Sequence, residues 1–284
     1  MTTAPTATTP PSNATAVVPG LLAASLHRIR VEIVEFTREK EAIFFLVAFP
    51  PIMLLLFGAI FGSEKIGPAG NQITFSQYFV AGMIGTGIWG ACFQNLGISV
   101  PLERDSGTLK RLSATPMPLS AYFFGKIGLV LVLSLLETTG LLLMGVFFYH
   151  VHIPPARHWL TFAWVFALGS AACTLFGIAL SGLIRNARVA TSIVSPIAII
   201  LQFVSGVYFV FGQLPTGLQW VGSIFPLRWL TLGMRSVFLP ASYRFAEPGH
   251  SWQPATTAIV LGVWCAVGLV IARRTFSWMP ERSS

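Results

Sequence analysis

Six apolar runs, each long enough to cross a membrane, constrain the fold of this chain more than any other feature. They lie at 42–62, 75–99, 119–149, 159–183, 189–211 and 255–272. A helix needs about 20 apolar residues to cross a hydrocarbon core of about 30 Å. Only 10% of the 284 residues are charged, whereas a soluble domain usually has about 25%. The sequence therefore predicts an all-α integral membrane protein with six transmembrane helices.

The segments around this six-span domain (42–272) have distinct compositions. Residues 1–20 carry no charge and lack the basic start and apolar core of a signal peptide, which predicts a disordered tail that stays attached. In 21–41 an apolar stripe at spacings of 4, 3, 4 and 3 predicts an amphipathic helix along the membrane surface, with Arg28 on its wet face. Its apolar residues are Leu22, Leu26, Ile29, Ile33 and Phe36. Pro50 and Pro51 predict a kink in the first span.

The distribution of lysine and arginine predicts which segments face the cytoplasm. Thirteen of these residues fall on the side of the two termini and five on the other side. Basic residues are enriched on the cytoplasmic side of membrane proteins, so both termini, including the tail 273–284, should be cytoplasmic. In a membrane chain, the formal net charge of +8 therefore reports orientation and does not predict nucleic-acid binding.

The segment 212–239 is apolar enough to suggest a seventh span. Arg228 and Arg235 argue against a seventh span, because each would cost about 2.5–3.5 kcal/mol near the bilayer centre. A seventh crossing would also move the basic C-terminal tail outside. We therefore expect a re-entrant pair of short helices that begins near Pro215, breaks at Pro226 and returns to the outer surface.

The segment 101–115 interrupts the apolar sequence with five charged residues: Glu103, Arg104, Asp105, Lys110 and Arg111. Pro101 suits the first turn of a helix, where its missing N–H costs nothing. The acidic residues would lie near the positive end of the helix dipole and the basic residues near the negative end. This pattern predicts a short cytoplasmic helix, although an ordinary charged loop is the alternative. Its apolar face would contain Leu102, Leu109 and Leu112.

This segment resembles the loop after the second span in type-2 permeases of bacterial ABC exporters of the drug-resistance and daunorubicin-exporter-like group. That loop reads approximately E-R-E-x-G-T-L-E/K-x-L-x-x-[ST]-P, with G-K a few residues later. The matching residues are Glu103, Arg104, Gly107, Thr108, Leu109, Leu112, Thr115, Pro116, Gly125 and Lys126. Residues 205–229 are similar to a second family motif, with Val210 at a position where proline is common.

The resemblance implies that the charged segment is a coupling helix, which inserts into a groove of a cytoplasmic ATP-binding subunit and touches it with its polar side. The residues assigned to this coupling are Glu103, Arg104, Asp105, Gly107, Thr108, Leu109, Lys110, Arg111 and Leu112. The sequence contains no G-x-x-x-x-G-K-[ST] phosphate loop. We therefore expect no catalytic residues here and expect ATP and Mg to bind the separate ATP-binding subunit.

The implied function is that of the permease subunit of an ATP-driven exporter in the bacterial cytoplasmic membrane. Its substrate would be an amphipathic drug-like, lipid or glycolipid molecule taken from the cytoplasm or inner leaflet. The implied complex has two permease subunits, a homodimer in preference to a heterodimer, and two ATP-binding subunits.

Four polar residues at membrane depth are candidates for the substrate path: Gln94, Asn95, Glu137 and Gln202. Glu137 lies near the middle of the third span, and an ionisable residue inside the membrane indicates a functional site by default. It would suit a cationic amphiphile. The alternative is a protonated glutamic acid that is hydrogen-bonded between helices.

Small residues recur every four positions in two spans, which lets helices approach closely. The second span has two such stripes, Ala81 with Gly85 and Gly82 with Thr86 and Gly90, and the fourth span has one, which contains Gly169, Cys173, Gly177 and Ser181. These stripes would serve either a dimer interface or packing within one protomer.

Two other classes of function fit the sequence less well. A secondary transporter usually needs several buried ionisable groups and often a repeated half, and neither is evident. A membrane-embedded enzyme would need more than the histidines at 150, 152 and 158, which lack a third metal ligand at helical spacing or a paired carboxylate. Cys92, Cys173 and Cys265 lie in apolar runs without a C-x-x-C motif, so no metal site is predicted.

The charge asymmetry predicts the result of a topology experiment. Reporters fused before Leu21 and after Ser284 should both give a cytoplasmic signal, and a reporter inserted near Ser242 should give an external one. A cytoplasmic signal at position 242 would contradict the re-entrant arrangement.

Overall fold

Helices make up nearly all of the chain that the computed structural model describes, which is residues 20–67, 72–115, 117–151, 153–184 and 186–275. The α-helices are α1 (Leu21–Arg38), α2 (Lys40–Ile43), α3 (Phe49–Phe61), α4 (Phe75–Trp89), α5 (Asn95–Asp105), α6 (Thr108–Ser113), α7 (Leu119–Tyr149), α8 (Ala156–Leu183), α9 (Ala187–Val204), α10 (Thr216–Ile224), α11 (Pro226–Phe238) and α12 (Pro254–Thr275). The predicted all-α membrane class is confirmed. The predicted N-terminal tail and most of 273–284 lie outside the described residues.

Short irregular elements connect these helices. Strands β1 (Lys65–Ile66) and β2 (Ile73–Thr74) pair antiparallel between α3 and α4. The side chain of Thr74 then caps α4 by accepting a hydrogen bond from the backbone N–H of Gln77. Two 3-10 turns, Phe211–Gln213 and Ala241–Ala246, flank the α10–α11 pair.

Five helical segments in the described chain are long and apolar enough to cross a membrane: Phe44–Phe61, Leu119–Tyr149, Ala156–Leu183, Ala187–Val204 and Pro254–Thr275. The predicted second span is also helical, from Phe75 to Asp105, but a π-helical turn at Gly90–Gln94 divides it into α4 and α5. The predicted fifth span ends at Val204 and not at 211. It ends early because Gly206 adopts a left-handed backbone conformation, with φ of +74°.

The first span contains a π-helical turn, Phe44–Ala48, directly before Pro50 and Pro51. The two prolines occupy the first positions of α3 and have no N–H to donate to the preceding turn. The N–H of Phe49 instead bonds to the carbonyl of Phe44, five residues earlier. A wider helical turn therefore precedes the prolines, and the kink that they predict stays a prediction.

Helix α11 lies inside the protein, packed between α4 and α8. Small residues on both neighbours permit this approach. A Cβ added at Gly85 would lie 2.8 Å from Thr231 Cγ2, and one added at Gly169 would lie 2.5 Å from Leu230 Cδ1. The predicted stripes that contain Gly85 and Gly169 therefore serve packing within the protomer at these positions.

The predicted break at Pro226 is present, because α10 ends before it and Pro226 occupies the first turn of α11. Pro215 caps α10, and its carbonyl accepts from the N–H groups of Leu218 and Gln219. Val210, at the position where the motif that 205–229 resembles has proline, has a φ of −65°, which proline also adopts. The depth of this pair in a membrane stays a prediction.

Glu247 is the counter-charge of the two arginines in α11, and sequence reasoning did not identify it. Its Oε2 lies 2.8 Å from Arg228 Nη2, and its Oε1 lies 3.5 Å from Arg235 Nη1. All three side chains are buried. The guanidinium of Arg235 also lies 3.9 Å from the ring centre of Tyr78, close enough for a cation–π interaction. Burial raises the pKa of nearby Tyr243, so that hydroxyl stays neutral beside the arginines.

Replacing Glu247 should destabilise the fold strongly. Glu247→Gln leaves two buried arginines without their counter-charge, and removing one partner of a buried pair costs about 3–5 kcal/mol. Chemical unfolding in detergent micelles measures this loss. Glu64→Gln, the same change at an exposed position, is the control. An unchanged unfolding midpoint in Glu247→Gln would contradict the assigned role.

Candidate functional site

The charged segment forms two helices and not one. Helix α5 continues through Pro101 to Asp105, and α6 begins after a break at Ser106 and Gly107. The prediction that Pro101 starts a helix was wrong, because the preceding span does not end where its apolar run ends. Gly107 has a φ of +72°, and a Cβ added there meets no atom within 4 Å. Its backbone conformation, and not a close neighbour, therefore requires glycine.

Glu103 points into the protein and joins a buried ion-pair network. It accepts a hydrogen bond from the hydroxyl of Tyr122 at 3.0 Å and pairs with Lys126. The Nζ of Lys126 also lies 2.8 Å from Glu32 Oε2, and Glu32 in turn pairs with Arg28. We call Arg28, Glu32, Glu103 and Lys126 the charged junction. It connects α1, α5 and α7.

The charged junction corrects the predicted orientation of α1. Arg28, expected on a wet face, is buried together with Glu32 against α7, while Leu22 and Leu26 of the expected apolar stripe are exposed. Gly125 in α7 permits this contact, since a Cβ there would collide with the side chain of Arg28. In the structure, α1 packs along α7 through Arg28 and Glu32 together with Ile29, Ile33 and Phe36 of the apolar stripe.

Arg104 and Asp105 bind the turn between α8 and α9. Arg104 Nη1 donates to the carbonyl of Ile184 at 3.1 Å, at the C-terminus of α8. Asp105 Oδ2 accepts from the backbone N–H of Ala187 at 2.6 Å, at the N-terminus of α9. Both contacts are favoured by the helix dipole, which attracts a cation at the C-terminus of a helix and an anion at the N-terminus. Glu103, Arg104 and Asp105 are therefore engaged within the chain, although Asp105 is exposed, and contact of this polar side with an ATP-binding subunit stays a prediction.

Helix α6 presents the outward-facing part of the segment. Lys110 and Arg111 are exposed, and the hydroxyl of Thr108 accepts a hydrogen bond from Arg111 at 3.2 Å. Leu109 is fully buried and Leu112 is half-buried, whereas Leu102 is exposed. The three leucines therefore do not share one buried face. Within the predicted coupling residues, the exposed positive charge lies on α6.

The four polar residues predicted for a substrate path, Gln94, Asn95, Glu137 and Gln202, line one cavity of about 590 Å³. The first span, α4, α5, α7 and α9 contribute residues to it. Most of the remaining lining is apolar, and it includes Phe36, Phe45, Phe49, Phe57 and Phe203. Cavities of this size and character suit drug-sized ligands.

Glu137 is buried at this cavity, and neither carboxyl oxygen has a hydrogen-bond partner among the described residues. The predicted alternative, a hydrogen bond to another helix, thus finds no partner in this part of the chain. Gln202 differs, because its Oε1 accepts a hydrogen bond from the Tyr208 hydroxyl at 2.7 Å. Sequence reasoning missed Ser99, whose buried hydroxyl is also unpartnered in the described chain.

Sequence reasoning also missed Glu32, which links Arg28 to Lys126. The available signal was its position four residues after Arg28, a spacing at which opposite charges interact on a helix. No neighbouring residue indicated that Glu32 would also pair with Lys126, which lies 94 positions further along the chain. No group of three histidine, cysteine or acidic residues that could hold a metal occurs in the described ranges.

Several apolar helices, a largely apolar cavity and an adjoining charged segment define a multi-pass membrane transport protein. Residues 28–239 match the model of the ABC-2 type transporter family, and the chain belongs to this family. It is 24% identical over 201 residues to a Cyanophora paradoxa protein named "Putative transport permease ycf38", covering 70% of this chain and 68% of that protein. ABC-2 permeases are transport subunits that work with an ATP-binding partner subunit.

Removing the lysine of the charged junction should weaken the packing of α1 and α5 on α7. Lys126→Met leaves Glu103 and Glu32 buried with Arg28 as the remaining basic member, so we expect a loss of about 3–5 kcal/mol. Lys126→Arg, which keeps the charge, is the control and should lose less. A double-mutant cycle with Glu103→Gln in micelle unfolding measures the coupling. Strict additivity would show that the two side chains do not interact.

Proposed function

We propose that this chain is the permease subunit of an ATP-driven exporter for amphipathic substrates in the bacterial cytoplasmic membrane. Two copies form a homodimer with both termini of each chain in the cytoplasm. Two separate ATP-binding subunits supply ATP and Mg and do the hydrolysis. The observation that carries the proposal is the position of α6: it lies outward on a segment whose other side chains bind α7, the turn between α8 and α9 and, through Lys126, α1.

Coupling requires that a movement of α6 reach the transmembrane helices. Glu103 connects the segment to α7 and α1, while Arg104 and Asp105 connect it to α8 and α9. Glu103 and Arg104 are buried or nearly so, and breaking a buried charge contact leaves an uncompensated charge. We infer that these contacts hold when the ATP-binding subunit displaces α6, so that the helices move with it.

The cavity lies directly beside this coupling segment. Its lining follows one face of α4 and α5 from Thr86 to Leu102, a distance of about 24 Å at 1.5 Å per helical residue. Leu102 directly precedes Glu103 in α5. A substrate that enters near Leu102 would reach Glu137 near the middle of α7, and export is the direction implied by the family resemblance.

The exposed basic face of α6 can be tested as the docking surface. Reversing both charges, Lys110→Glu with Arg111→Glu, should weaken co-purification of the ATP-binding subunit about tenfold or more, since a partner surface that complements the basic face would then meet like charges, which disfavour binding. The control is Arg30→Glu, a reversal at an exposed position of α1. Wild-type co-purification in the double variant would contradict docking through α6.

A second variant separates docking from transmission. Glu103→Gln removes the charge that pairs with Lys126 while the exposed surface of α6 stays unchanged. Co-purification of the ATP-binding subunit should therefore remain, and substrate-stimulated ATP hydrolysis should fall. Normal stimulation in this variant would show that the contact between Glu103 and Lys126 does not transmit the movement.

A further inference from the structure

We infer that the cavity binds the organic ammonium group of an amphipathic amine, with Glu137 as its charge partner. This assignment rests on the cavity being the substrate path. It narrows the proposed amphipathic substrate to an amine and assigns Glu137, one of the candidate substrate-path residues, as the residue that selects it.

The state of the Glu137 carboxyl indicates a missing cationic partner. It is 2% exposed, and both of its oxygens lack hydrogen-bond donors in the described chain. An isolated carboxylate is costly to bury, because the low-dielectric interior does not replace its hydration. The other buried glutamates, Glu32 and Glu247, each lie against an arginine. Glu137 is therefore suited to a charge partner that arrives with the ligand.

Gly87 leaves room for this carboxyl at the wall of the cavity. A Cβ added there would lie 2.7 Å from Glu137 Oε2 and 3.2 Å from Glu137 Cβ. Any larger residue at 87 would displace the acid from its present position. The missing side chain at residue 87 therefore provides the space that the Glu137 carboxyl group occupies.

The charges and polar groups of the lining favour an organic cation. Its two charged residues, Glu39 and Glu137, are both acidic, which disfavours anions. A divalent metal would need about six oxygen ligands, and the described residues contain no cluster of three acidic, histidine or cysteine side chains. An ammonium group, in contrast, can be compensated by one carboxylate, and Glu137 supplies it.

The rest of the lining suits the apolar part of such a molecule. Phe45, Phe49, Phe57 and Phe203 present aromatic rings to the cavity. Aromatic rings bury large apolar surfaces and also attract cations through their faces. A volume of about 590 Å³ accommodates a drug-sized amine. The acidic residues, the aromatic lining and the volume of the cavity therefore all favour an amphipathic amine.

Binding to the purified full-length chain tests the assignment. The probe is rhodamine 6G, a fluorescent amphipathic cation, measured by anisotropy in phosphatidylcholine nanodiscs after subtraction of empty discs. Glu137→Gln should weaken binding at least tenfold, because the amide keeps the volume and loses the charge. Glu64→Gln, an equal change at an exposed position outside the cavity, should bind as wild type does. Wild-type affinity in folded Glu137→Gln would overturn the assignment.

A competition experiment on the unmodified chain decides the question even where Glu137→Gln does not fold. Dodecylamine should displace rhodamine 6G at a concentration at least tenfold lower than dodecanol, which has the same chain length and no charge. Equal competition would overturn the assignment. Neither measurement involves an ATP-binding subunit. A failure of docking through α6 would therefore refute the proposed coupling separately from the ligand assignment.

Discussion

The cost of burying an uncompensated charge governs this structure. Between its apolar helices the chain buries two charged clusters, and each one holds elements that are distant in sequence. Lys126 pairs with Glu32 across 94 positions and fixes α1 against α7. Glu247 neutralises Arg228 and supports Arg235, which allows α11 to lie inside the protein. Breaking one of these pairs would leave an uncompensated charge in apolar surroundings, which is costly. The pairs therefore fix the positions of α1 and α11, which apolar packing alone would leave variable.

Features that depend on neighbouring residues were predictable from the sequence. The apolar runs located the long helices, and α7 begins and ends where its run does. Pro226 marked a helix start because proline fits the first turn. The orientation of α1 was not predictable in this way. An amphipathic pattern distinguishes polar from apolar residues, but the buried position of Arg28 depends on Glu32, Lys126 and a glycine in α7.

The cavity explains why polar residues at membrane depth were useful for predicting which side chains line a shared space between helices. Gln94, Asn95, Glu137 and Gln202 come from the π-helical turn Gly90–Gln94, α5, α7 and α9, yet they line one space. Polar side chains avoid the hydrocarbon and so collect where helices face each other. The small residues that border the cavity could not be identified from the sequence in this way. Gly87 matters only because Glu137 approaches it, and that contact joins residues 50 positions apart.

Helix α5 connects the cavity to the charged junction, because residues that line the cavity and a residue of the junction lie on one side of this helix. Asn95 and Ser99 line the cavity, and Glu103 follows Ser99 after another four residues. Residues four apart lie on one side of a helix, about 6 Å further along its axis. A displacement of Glu103 by the adjoining α6 therefore moves Ser99 and Asn95 as well. In the proposed function, α5 transmits the movement because the desolvation cost keeps Glu103 paired, and the same cost makes the unpaired Glu137 of α7 selective for a charged ligand.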